Sequence, residues 1–74
     1  MDATLPEIIR MERARRKMSQ TALAQASGCS RNYISLIERG DARPTLDMLA
    51  KIARALGLEI TFSAKRIPTQ DAPQ

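Results

Sequence analysis

Residues 19–40 read SQTALAQASGCSRNYISLIERG, and the rest of the chain supports or positions this stretch. Two short helical runs flank a tight turn. The first run is Gln20–Ala26, with Ser19 placed to cap it. Ser27-Gly28-Cys29 is the turn. The second run is Arg31–Arg39, with Ser30 as its cap and Gly40 as its stop. A short polar side chain ahead of a helix satisfies its free N–H groups, and a glycine after it takes the left-handed conformation. Two helices joined by a short Gly-bearing turn form a helix-turn-helix, whose second helix enters the DNA major groove.

Spacing says more than residue type. Ala24 lies four residues before Gly28, where a small side chain lets the two helices approach and glycine bends the chain sharply. Leu23, Ile34 and Ile37 face a core, while Arg31, Asn32, Ser35 and Leu36 point elsewhere. With these positions in view, the stretch resembles the Cro and lambda-repressor-type helix-turn-helix regulators, the xenobiotic response element family. The residues that carry the likeness are Gln20, Leu23-Ala24, Gly28, Ser30-Arg31, Ile34, Ile37, Glu38, Gly40 and Pro44, within a span from about Ile9 to Leu56.

Composition bounds the rest. Seventy-four residues make one small domain with a limited core, a size at which a partner subunit often adds stability. Lys and Arg total 12 against 8 Asp and Glu, a net charge of +4, and the pI near 10.0 suits a polyanionic partner. No secretory apolar segment or membrane-length run is visible, and one cysteine with no internal partner suits a reducing cytoplasm, so a cytoplasmic, nucleoid-associated protein is expected. With no histidine and one cysteine, neither a structural zinc site nor a Ser/His or Cys/His pair can be assembled, and no Gly-rich phosphate loop appears. We therefore expect no enzyme, no cofactor and no metal.

Ahead of the central stretch, Thr4-Leu5-Pro6-Glu7 reads as a capping box opening a helix from about Leu5 to Arg16, with Leu5, Ile8, Ile9 and Met18 as its apolar contacts. Arg13-Ala14-Arg15-Arg16-Lys17 is a basic run, either a solvated helical face or a set of phosphate contacts. The resemblance implies that Arg13 pairs with Glu38, tying the first helix to the third. It implies that Gln20 touches the DNA backbone and props a base-reading residue, and that main-chain N–H groups of the loop 41–44 bind phosphate. Glu12 departs from the family pattern, which usually has an apolar residue there, and Leu36 stands where a polar residue is common. Cys29 replaces a small apolar residue and behaves as a small hydrophobe, with redox sensing as the sharper alternative. Tyr33, the one tyrosine, either contacts DNA or packs over the second helix.

After the motif, Pro44 keeps the preceding residue out of a helix, Thr45 caps a fourth helix, and Leu46, Leu49, Ile52, Ala53 and Leu56 recur on one face until Gly57 ends it. Residues 58–64, LEITFSA, change to apolar–polar alternation and read as a strand. A lone strand needs a neighbour, and the copy in a second chain would form an antiparallel ribbon across a two-fold axis; the alternative is an extended tail packed on its own domain. This ending looks like that of certain DNA-binding antitoxins. Residues 67–74 are polar with two prolines and read as a disordered tail.

The expected architecture is all-α: a four-helix, lambda-repressor-like DNA-binding domain over residues 1–66 with a dimerising strand at 58–64. The expected function is sequence-specific binding of double-stranded DNA by a homodimer on a near-palindromic operator, as a transcriptional regulator and by preference a repressor. Ser30, Arg31, Asn32 and Tyr33 would face the bases, Arg31 suited to guanine and Asn32 to adenine or a phosphate. Gln20, Ser35, Arg43, Arg16 and Lys17 would hold the DNA backbone. Leu58, Ile60, Thr61, Phe62 and Ala64 would form the dimer contact. A restriction-modification controller, an antitoxin that also binds a toxin protein, and a protein-interaction module without DNA binding are the alternatives; the polar, basic front of the third helix weighs against the last.

Overall fold

The computed structural model describes residues 3–61 and 63–66. Its elements are α1 (Leu5–Arg15), α2 (Gln20–Ser27), α3 (Arg31–Glu38) and α4 (Leu46–Ala55), an all-helical architecture in which α2 packs on both α3 and α4 while α1 packs on α3. The starts are set by local polar chemistry. The Glu7 carboxylate accepts from the N–H and hydroxyl of Thr4 at 3.0 and 2.9 Å. The hydroxyls of Ser19, Ser30 and Thr45 accept from the N–H groups of Ala22, Tyr33 and Met48 at 3.0–3.1 Å. Each cap satisfies a donor that a helix start leaves free.

The core is a single apolar cluster. Ile9 from α1, Leu23 and Ala24 from α2, Ile34 and Ile37 from α3, and Ile52 from α4 with the adjoining Leu56 are all buried. Leu23, Ile34, Ile37, Ile52 and Leu56 lose essentially all contact with water. Glu12 is half-buried, and it keeps its charge by pairing with Arg16 at 2.6 Å. That hydrogen bond, ahead of the opposing effect of burial, holds its carboxyl below the ordinary range. The Arg16 guanidinium also lies 3.2 Å from the point where Gly57 would carry a Cβ, so the polar pair reaches the foot of α4.

All four helices end on a left-handed residue: Lys17 (φ 52°), Gly28 (φ 77°), Gly40 (φ 81°) and Gly57 (φ 72°). The next residue then bonds back to the last turn, with Met18, Cys29, Asp41 and Leu58 donating to the carbonyls of Arg13, Ala24, Leu36 and Ala53 at 2.8–3.0 Å. The chain has three glycines, and all three serve this purpose. Lys17 does the same work with a Cβ in a region that costs about 1 kcal/mol. Lys17→Gly should therefore raise the unfolding free energy by about 0.5–1 kcal/mol; a denaturation midpoint at or below the parent's would show that the lysine side chain compensates for its backbone.

The strand expected over 58–64 is absent from the described residues: 58–61 and 63–66 take no regular structure, and Phe62 lies outside them. The alternation begins on a residue already in use. The Leu58 N–H closes the end of α4, and its side chain packs against the core cluster, so that residue is held by its own domain. Among the described residues there is no second strand to pair with. The antitoxin-like ending loses the feature that suggested it. The expected tail 67–74 also lies outside the described residues.

Candidate nucleic-acid interface

The front of α3 carries Arg31 and Asn32, both exposed and without a hydrogen-bond partner among the described side chains. The back of the same helix is Ile34 and Ile37, buried. The eight residues of α3 thus divide into a sealed face and a polar one. Ser30 is exposed and uses its oxygen to cap α3; its hydroxyl hydrogen is free to donate outward. Tyr33 is half-buried and its ring packs against the core cluster. Ser35 and Leu36 are half-buried, on the flank of the exposed front.

Beside its core face, α3 is held by a polar clasp from α1 and α2. The Arg13 guanidinium grips the Glu38 carboxylate with two bonds, Nε to Oε2 at 2.7 Å and Nη2 to Oε1 at 2.9 Å. Its remaining Nη1 donates to the carbonyl of Met18 at 3.0 Å, in the turn that leads into α2. Gln20, the first residue of α2, donates Nε2 to Glu38 Oε1 at 3.1 Å. The Arg10 guanidinium donates to the main-chain carbonyl of Glu38. Burial pushes the Glu38 carboxyl up, but the bonds from Arg13 and Gln20, with the charges of Arg13 and Arg10, outweigh it and hold the group below the ordinary carboxylate range. No buried side-chain nitrogen or oxygen among the described residues lacks a partner. The clasp is therefore fully satisfied, the condition under which a buried charge is tolerated.

Four other cations lie near α3 in sequence or are expected at the DNA backbone: Lys17, Arg16, Arg39 and Arg43. Arg43 is exposed beside the half-buried Pro44, in the loop after α3, and Lys17 is exposed at the turn before α2. Neither side chain makes a hydrogen bond or ion pair among the described residues. Arg16 is committed to Glu12 and to the foot of α4. Arg39 and Asp41 form a 3.5 Å pair with both side chains 61% exposed, a contact worth little in water.

Two contacts escape a reading of the sequence alone. Arg10 stands three residues before Arg13, one helical step along the same face, and that spacing is the signal that both guanidinium groups meet the same target. The buried Ser27 hydroxyl donates to the Leu23 carbonyl at 2.7 Å and lies 3.3 Å from the Cys29 sulfur, so the half-buried thiol sits inside the turn.

No described helix is long and apolar enough to cross a membrane. Comparison with known proteins agrees with this geometry. The chain is 44% identical over 59 residues to an uncharacterized HTH-type transcriptional regulator, y4dL, of Sinorhizobium fredii, covering 80% of this chain and 30% of that protein. It thus spans about a third of the length of this curated relative. Its fold is similar to the DNA-binding domain of the P22 C2 repressor, with a TM-score of 0.74 at 33% identity over 80% of this chain and 79% of that one. It is similar also to the restriction-modification controller protein C.AhdI of Aeromonas hydrophila, with a TM-score of 0.71 at 35% identity over 73% and 82% of the two chains. The helix-turn-helix family model HTH_3 matches residues 9–63, the span that contains the capped pair α2–α3 and its clasp, and the chain belongs to that family.

Proposed function

We propose that this protein binds double-stranded DNA in a sequence-specific way and regulates transcription, acting as a repressor. The observation that carries this reading is the division of α3: Ile34 and Ile37 are sealed in the core while Arg31 and Asn32 stand exposed and unengaged at its front. In this proposal Arg31 pairs with a guanine edge, Asn32 reads adenine or holds a phosphate, and Ser30 donates its hydroxyl. Tyr33, with its ring on the core, offers DNA its hydroxyl end. Gln20, Ser35, Arg43 and Lys17 take the DNA backbone, and Arg16 stays with Glu12. The likeness to the P22 C2 repressor supports the repressor role. A restriction-modification controller is the second reading, favoured by C.AhdI, most of whose chain this one covers.

Selection of bound duplexes from a random pool tests the proposal. Arg31→Ala should cost about 1–3 kcal/mol on the selected site and relax the preference at one base pair per half-site. Arg43→Ala should weaken all sequences about equally. An Arg31→Ala protein with the parent's preference at every position would overturn the assignment.

The proposal includes a homodimer on a near-palindrome, with recognition helices about 34 Å apart. Exposed apolar side chains support it: Met11 is 58% and Leu46 65% accessible, and Ile8, Leu58 and Ile60 line a groove between α1 and α4. The ribbon through 58–64 would form only when a second chain supplies its neighbour. Proline removes a ladder donor. Thr61→Pro should sediment as a monomer and lose most affinity for the full operator, with unchanged helical circular dichroism. A variant that stays dimeric would place the contact on the outer face of α4, around Leu46.

A further inference from the structure

The last turn of a helix leaves four carbonyls without an internal partner. In α3 three of them are met by the chain that follows: Ser35 by the N–H of Arg39 at 3.1 Å, Ile37 by Gly40 at 3.0 Å, and Leu36 by Asp41 at 2.8 Å. The fourth, on Glu38, receives no main-chain donor among the described residues and is taken by Arg10 of α1, 28 residues away. α3 has no basic residue within its last turn, and the guanidinium of its exposed C-cap Arg39 turns to Asp41, so the cation bonded to the last carbonyl comes from another helix. Arg10 and Arg13, three apart on one face of α1, thus grip one residue twice, by its main chain and by its carboxylate.

We propose that Arg10 is a positioning residue for base recognition, acting through the Glu38 carbonyl to fix the tilt of α3 and hence the reach of Arg31 and Asn32. The inference rests on the DNA-binding reading above. The core fixes α3 through Ile34 and Ile37, and the bidentate bond reaches it only through the rotatable Glu38 side chain; the bond from Arg10 to the main chain fixes the C-terminal end of the helix directly. Because α3 has only eight residues, a small rotation at Glu38 moves its front relative to a base edge by a distance that matters for a hydrogen bond.

Arg10 is an exposed residue, so the rival role is a direct phosphate contact. The experiment compares the parent with Arg10→Ala, Arg10→Lys and, as a control for lost charge, Arg15→Ala, whose side chain is 74% exposed. Base preferences are measured by selection from a random duplex pool, and affinity for the selected site is followed against salt. In the protein without DNA, amide exchange is followed at Arg39, Gly40 and Asp41. For a positioning residue, Arg10→Ala speeds exchange at those three amides and lowers discrimination at the bases under α3 by about five- to tenfold. It leaves the salt slope at the parent value, and Arg10→Lys recovers part of the discrimination. Intact preferences with a shallower salt slope, as expected of Arg15→Ala if that side chain meets DNA, would make Arg10 a phosphate contact and overturn the proposal. A lowered melting temperature with intact preferences well below it would also overturn it. A parent that selects no sequence at all refutes the DNA-binding reading and the positioning role together; a parent that selects one, beside an Arg10→Ala with the same preferences, refutes the positioning role alone.

Discussion

Glu38→Ala is expected to lower the unfolding free energy by about 3–5 kcal/mol. The Glu38 side chain is 4% exposed and that of Arg13 21%, so the deletion strands a largely buried guanidinium. It also strips the Gln20 amide of its acceptor and removes the carboxylate bonds from α1 to α3, leaving the Arg10 bond to the main-chain carbonyl. A domain of this size has roughly 5–15 kcal/mol in total, so the variant should be partly unfolded at moderate temperature. Glu38→Gln, which keeps the shape and one acceptor, should fall between. A urea midpoint close to the parent's would show that burial of the pair costs as much as its attraction returns. The same carboxylate sets an acid limit. Its folded pKa lies below its ordinary value, so its contribution is fully present above the ordinary carboxylate range and is lost as pH falls through the lowered folded value. Stability should therefore drop below about pH 4.5, and the drop should shrink in Glu38→Gln.

The second large effect is expected at Ile34. Its side chain is fully buried, at 0% exposure, behind the front of the recognition helix. Ile34→Ala should cost about 2–5 kcal/mol and Ile34→Val about 0.5–1.5 kcal/mol, because the surrounding Leu23, Ile37 and Ile52 collapse only partly into the space. Both are read by thermal or urea unfolding. At a temperature where Ile34→Val remains folded, its base preferences should equal the parent's, since the methyl lost is on the sealed side. A changed preference in that variant would mean that the core sets the orientation of α3 more than the polar clasp does.

Much of this fold is legible from punctuation. Ser19, Ser30 and Thr45 announce three helix starts, Gly28, Gly40 and Gly57 three stops, and the three- and four-residue steps from Ile34 to Ile37 and from Ile52 and Ala53 to Leu56 give the core face. These signals act within a turn or two of chain, which is why they can be read without coordinates. The fourth stop, at Lys17, is hidden because a lysine does what glycine usually does. The expected strand, which the described residues do not form, has a similar origin: alternation from Leu58 onward is real, but Leu58 also closes the end of α4. At the site, the residue types at the front of α3 are plain from sequence. The division of labour among the arginines is not, since Arg10, Arg13 and Arg16 differ only in which distant group each one meets.

The clasp has a kinetic consequence. Helix caps and stops are contacts between near neighbours in the chain, and all-helical domains built on such contacts fold in microseconds to milliseconds. The bonds from α1 to Glu38 span 25 and 28 residues. The docking of α1 that closes them is expected to follow the shorter-range pairing of α2 with α3. Contacts that close after the rate-limiting step slow escape from the native state and leave the speed of reaching it nearly untouched. The polar knot on Glu38 therefore acts chiefly as a latch on the finished domain, lengthening the time it stays shut.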